Sequence, residues 1–500
     1  MKKNKEKKIN NANRDQKVTN GLVKFWVIGG IAVLSLGVIG AAVAGIHRAV
    51  VETEKNKIYS VAFDLSKTNP KGTRLDDARG LVAGINGEKN DFDNAYPWKA
   101  MKEVKDEHGD AFIRIPKFYQ KAETNSETNI FTLSISSNPH KGFVVAPAFL
   151  KGEEEIDYID IARYEASMNK EGKLRSVSGE MPVTSGYTLD QYRSIAESDG
   201  NQLFDWRGNQ ALQTLFMAEF ATLDSQTIMA GETAYDCYIH ELTAAEIAKG
   251  KIDTFADLES DERMLIDSEM SVEKFVKANQ LHVDVSFSHN DEDEEENNFS
   301  VEETTSASTI EFNNDKTSVD KVILSKTIDV SKMSEGETVS IAFGSYSYHK
   351  TGSTDGKKGS SVGSSMKSGE IAAMSYRGIE NWYGNTYTWA DGLATYQDEN
   401  DNKFICVSLD ATKNSNRDSY KRYAEGSSLG DGIFMTKFDM DDEIGYQMDY
   451  FGFGYSSEAY MIGFVGGDYD HNYSAGAFYL SVGDDVSNAH YSVRLSCIPH

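Results

Sequence analysis

The chain is poor in cysteine: Cys237, Cys406 and Cys497 are its three thiols in 500 residues. That excludes a disulfide framework or a four-cysteine zinc site and allows one disulfide at most. Seven prolines against 41 glycines exclude collagen-like and proline-rich architectures. Net positive charge is also missing, since 51 Lys and Arg against 78 Asp and Glu leave -27. A phosphate-backbone binder needs a basic face, so no nucleic-acid partner is expected. Ten scattered histidines never fall into an HExxH pair, and no metal site or cofactor is expected. What remains is ordinary core material, 39% hydrophobic and 11% aromatic, enough to exclude wholesale disorder. The length points to one large domain with additions, or to two.

One long apolar run stands out. Phe25–Ile46 reads FWVIGGIAVLSLGVIGAAVAGI, with no charge anywhere. As a helix it would reach roughly 33 Å, enough to cross a hydrocarbon core of about 30 Å. Residues 1–24 before it hold eight Lys and Arg against Glu6 and Asp15. That basic tail predicts a cytoplasmic amino terminus, a membrane span over 25–46 and a carboxyl-terminal domain outside the cell. A cleaved signal peptide is the competing reading, because Ala42-Val43-Ala44 has the small-x-small form of a cleavage site.

Beyond the span, residues 47–105 read as a stalk and lead-in segment. Ala111–Tyr119 alternates apolar and polar residues in the manner of a half-buried strand. Helices are expected over Thr188–Glu197 and Asn209–Leu223, the second with Leu212, Leu215, Phe216, Phe220 and Leu223 as a core stripe. Residues 233–345 differ in character, with six acids in a row at 291–296, and read as an acidic insertion with its own small fold. Gly352–Gly369 reads as a Gly/Ser/Lys linker. It contains Gly359-Ser360-Ser361-Val362-Gly363, formally GxSxG, but without the strand and helix that a nucleophile elbow needs.

The segment RGIENWYGNTYTWADG at 377–392 carries a specific pattern: Gly378, Ile379, Glu380, Trp382, Gly384, Asn385, Tyr387, Trp389. It resembles the signature of the formylglycine-generating-enzyme-like branch of the C-type lectin fold. That branch includes phage tail-fibre receptor-binding proteins and the variable proteins of diversity-generating retroelements. Gly466-Gly467, Ala475–Leu480 and Arg494-Leu495-Ser496 are similar to the closing segments of that branch. Thr73–Ala78, Tyr96-Pro97-Trp98, Ile115–Tyr119, Gly172–Gly179 and Asp224-Ser225-Gln226 are similar to its tail-fibre members.

The resemblance implies an α+β, C-type-lectin-like domain over 106–232 plus 346–500, interrupted by the 233–345 insertion and preceded by one transmembrane helix. Gly378, Glu380, Trp382, Gly384, Asn385, Trp389 and Arg494 are then scaffold residues. The tryptophans bury ring area while their N–H groups find partners, and the glycines permit tight turns. Arg494 is expected to pair with a buried carboxylate, Glu380 being one candidate.

Binding is expected on Asp468, Tyr469, Asp470, His471, Asn472 and Tyr473, together with Asn488, His490 and Tyr491. Asp, Tyr, His and Asn share a codon pattern with a middle adenine and an ending pyrimidine. The retroelement-diversified members vary such positions at adenines of the template. Tyrosine supplies stiff contact area, and Asn, Ser and Asp adapt their hydrogen bonds. A polar loop rich in turn formers is the plainer account.

The oxidase members of the branch need a cysteine pair near Gly466-Gly467, and 468–474 contain none. The Asp439–Glu443 acids lack an EF-hand pattern. The expectation is therefore a cell-surface binder of a protein or glycan ligand, and no enzyme. A tail-fibre receptor-binding protein and a formylglycine-generating-type enzyme with altered ligands are the alternatives.

Overall fold

The computed structural model describes residues 48–67, 69–184, 186–231, 350–363, 373–424, 454–457, 459–468, 475–483 and 491–499, and the backbone of strands at 236–243, 281–290, 300–312, 319–324 and 338–345. Two compact units emerge, Met1–Lys57 and Ile58–His500. In the first, residues 48–55 are helical.

The second unit is built mostly of β-sheet, which corrects the α+β, C-type-lectin-like class expected from sequence. Its α-helices among the described residues are Leu189–Ser198 and Trp206–Phe220, of 10 and 15 residues. Among the described residues no helix is long and apolar enough to cross a membrane, and the span expected at 25–46 lies outside them. The physical reason for the correction is that short apolar and aromatic segments find strand partners far along the chain. Such pairing leaves little trace in local periodicity.

Three sheets make the body. The first is antiparallel in the order Thr73–Asp76, Tyr59–Asp64, Ile130–Ser136, Tyr119–Asn125, Val144–Val145. Residues read from sequence as stalk and lead-in therefore enter the interior, with Tyr59, Val61, Phe63, Phe92 and Trp98 all buried. The second runs Gln202–Leu203, Leu495–Cys497, Tyr158–Ala162, Ala111–Pro116, Lys102–Lys105, so the chain terminus closes against its first third.

The third sheet holds Lys421–Ala424, Lys403–Val407, Tyr387–Gln397, Met461–Gly466 and Gly476–Gly483, with Tyr491–Ser492 added in parallel. Alternation along its strands feeds two cores. Leu393, Ile405, Val407 and Val465 join one, while Ala394, Cys406, Ile462 and Phe464 join the other.

A fourth sheet takes all five of its strands from between 236 and 345. Its first and last strands pair from Asp236↔Ser345 to Thr243↔Thr338, which brings the start and finish of the segment side by side. The chain then returns to the body through Lys350 onward. The chain is clasped there, just before the stretch read as a linker: Thr351 exchanges backbone bonds with Gly179 and Glu180, and its hydroxyl donates to Val177.

Local chemistry explains the two helices. Thr188 and Gln191 form a reciprocal capping box at the first. Asp205 caps the second by accepting from the Gly208 amide at 2.8 Å. Arg74 donates to the carbonyls of Ala218 and Glu219 at the far end of that helix. The stripe Leu212, Leu215, Phe216 and Phe220 is buried, as is nearly every other residue of the helix, so it is encased.

Candidate ligand-binding site

The signature segment sits at the centre of the body, held by buried polar contacts. The Trp382 indole N–H donates to Asn209 Oδ1 at 2.8 Å. Gly378 and Gly384 take φ of 90° and 88°, values that favour glycine. Trp389 is 1% exposed.

Arg494 differs from expectation in its partners. Its guanidinium donates to four backbone carbonyls, those of Ala162 (2.9 Å), Arg163 (3.1 Å), Glu380 (2.7 Å) and Asn381 (2.9 Å). The Glu380 carboxylate instead accepts from the Gly352 amide (2.6 Å), the Thr354 amide (2.7 Å) and the Thr354 hydroxyl (2.5 Å). Glu380 thus meets Arg494 through its main chain, and its side chain fastens the segment returning from the fourth sheet.

Of the residues expected to bind ligand, Asp468 and Tyr491 are described. Tyr469, Asp470, His471, Asn472, Tyr473, Asn488 and His490 lie outside the described residues. Asp468 is 1% exposed, directly after Gly466 and Gly467 with φ of 93° and 70°. A Cβ on Gly467 would stand 2.8 Å from Ala475 Cα, so this turn admits no side chain there. The Gly384 amide is shared between the carbonyls of Gly466 and Gly467, both at 3.2 Å.

Tyr491 is half-buried and pairs in register with Tyr387. Its ring lies 4.7 Å from Trp389, 4.9 Å from Phe464 and 5.4 Å from Tyr387. Tyr387 also stands 4.7 Å from Phe464, and its hydroxyl accepts from Tyr479 at 3.3 Å. These five rings form one cluster of tilted and edge contacts. Burial raises the Tyr387 hydroxyl pKa, and the Asp468 carboxylate raises it further. Tyr491, from one segment expected to bind ligand, thus packs on Tyr387, and the charge of Asp468, the first residue of the other, acts on the same hydroxyl.

Beneath them lies a group that sequence reasoning missed. The Glu165 carboxylate, 1% exposed, accepts from Asn385 Nδ2 and from the Thr386 hydroxyl. Burial lifts its pKa to about 7, with Glu380 adding to the rise while Arg494, Thr386 and Asn385 oppose it. Burial also lowers the Arg494 pKa, opposed by Glu165 and Glu380. The one available signal was a glutamate embedded in the apolar-rich stretch around Ile159–Met168.

Two other sequence features resolve plainly. Ser361 of the GxSxG string is buried, and its hydroxyl accepts from the Arg377 amide at 3.1 Å. Cys406 and Cys497 are both free thiols, and burial pushes Cys406 up to about 11. Among the described residues no three His, Cys, Asp or Glu gather as a metal set. Neither a model of a known protein family nor a curated protein matches the chain.

Proposed function

We propose that the protein is a ligand-recognition protein of the cell exterior, binding a protein or glycan through 468–474 and 488–492. The observation that carries this reading is the aromatic cluster of Tyr387, Trp389, Phe464, Tyr479 and Tyr491, which holds Tyr491 of one segment while the charge of Asp468, the first residue of the other, acts on the Tyr387 hydroxyl. A stiff aromatic cluster together with polar, tyrosine-bearing sequence suits recognition, because contact area is offered at low entropy cost. Six consecutive residues at 468–473 drawn from Asp, Tyr, His and Asn support a variable rim. A near-copy of this coding segment in adjacent DNA, differing at adenines, would establish that variability.

The direct test is an array of purified glycans and cell-exterior proteins probed with the native chain and with a Tyr469→Ala/Tyr473→Ala variant. Binding of the native chain to at least one member, lost by tenfold or more in the variant at unchanged melting temperature, supports the reading. Equal binding by both overturns it.

A further inference from the structure

Glu165 is bonded to residues that adjoin both segments, without touching either segment itself. Its partners Asn385 and Thr386 lead from Gly384, whose amide holds Gly466 and Gly467, into the strand that begins at Tyr387. On its other side, the amide of its neighbour Ala166 donates to the Val493 carbonyl at 2.9 Å, between Tyr491 and Arg494. Glu165, Asn385, Thr386, Glu380 and Arg494 are all buried, so no solvent moderates the charges.

The charges are imperfectly matched. Arg494 places hydrogen bonds on four carbonyl oxygens and acts on Glu165 through space. Glu165 receives two neutral donors, and the Glu380 carboxylate repels it. Arg163, two residues earlier in the chain, turns away to Glu103 and Asp355. An ionised carboxylate in this setting is costly, whereas a protonated one keeps the Asn385 contact and can donate its O–H to Thr386.

We infer that Glu165, with the Arg494 charge acting on it, forms a proton-dependent brace at Asn385 and Thr386, beside the Gly384 amide that holds Gly466 and Gly467, tight when Glu165 carries its proton and looser when it is ionised. A local opening that wets Glu165 returns it to an ordinary carboxylic acid, so rising pH favours the opening. Burial sets the transition near neutrality. As a regulator of ligand binding the brace rests on the function proposed above; as a property of the fold it does not.

The test needs no ligand. Amide hydrogen exchange of the full chain is followed at Gly384, corrected for the intrinsic pH dependence of exchange. In the native protein the protection should fall by about tenfold between pH 6 and pH 8. In Glu165→Gln, a neutral mimic of the protonated form, protection should stay flat. Parallel profiles in the two proteins overturn the brace. Should Glu165→Gln fail to fold, Thr386→Val serves instead: losing a donor to the charged form must move the native transition to higher pH, and an unmoved midpoint overturns the inference. Loss of array binding in the Tyr469/Tyr473 variant bears only on the ligand site, so the two failures are distinguishable.

Discussion

Two buried glutamate–arginine centres in this molecule are solved in opposite ways. Glu219, fully buried, takes both Arg377 Nε (3.0 Å) and Nη2, the Tyr376 hydroxyl (3.0 Å) and Asn90 Nδ2 (2.7 Å). Burial works against the Arg377 charge, yet Glu219 outweighs it and holds that pKa above its ordinary value. At Glu165 and Arg494 the two charges bind neutral groups and feel each other at a distance. Direct bidentate pairing makes a fixed joint between helix, amino-terminal loop and signature segment. Indirect pairing leaves a group that can exchange its proton, and it is bonded to residues that adjoin two candidate binding segments.

Substitutions can break this contrast. Glu219→Gln should cost the most, about 3–5 kcal/mol in chemical denaturation, because Arg377 loses its fully buried counter-charge and keeps only the exposed Asp93 carboxylate. Tyr491→Ala removes a ring packed on Trp389 and Phe464, and should cost about 2 kcal/mol, read as a lower denaturation midpoint.

Glu165→Gln should have the opposite sign at alkaline pH. The folded protein holds the Glu165 proton up to about 7, whereas an unfolded glutamate releases it near 4.5. Between those values the folded state binds more protons, so native stability falls as pH rises through the window. The variant escapes that fall and should exceed the native protein by about 1–3 kcal/mol at pH 8, with little difference at pH 4.5. Smallest of all, Tyr469→Ala/Tyr473→Ala should shift stability by less than about 0.5 kcal/mol if those side chains belong to an exposed rim. A loss as large as that of Tyr491→Ala would make them part of the aromatic cluster.

Much of the scaffold was legible along the chain. The core stripe of the second helix follows from spacing, although that helix starts at Trp206, three residues before the expected Asn209. The glycines of the signature do take the left-handed conformations their tight turns require. The pairing of Arg494 was only half legible: burial of an arginine signals compensation, but not that carbonyls from two other strands supply the hydrogen bonds. Tyr491 shows the same limit, since its local sequence resembles a polar loop while its ring belongs to an aromatic cluster.

Sequence by itself determined the acidic balance, the scarcity of thiols, the apolar run near the amino terminus and the glycine–tryptophan signature, because each depends on residue identity or near-neighbour spacing. Only the tertiary structure decided that sheets dominate the described fold, that Glu380 secures the returning segment, and that Glu165 is bonded to Asn385 and Thr386 with the Arg494 charge acting on it. Those facts depend on contacts well beyond helical spacing, from 26–28 positions for Glu380 to 220–221 for Glu165, where the environment of a charge is set by which segments happen to meet, and no local pattern encodes that meeting.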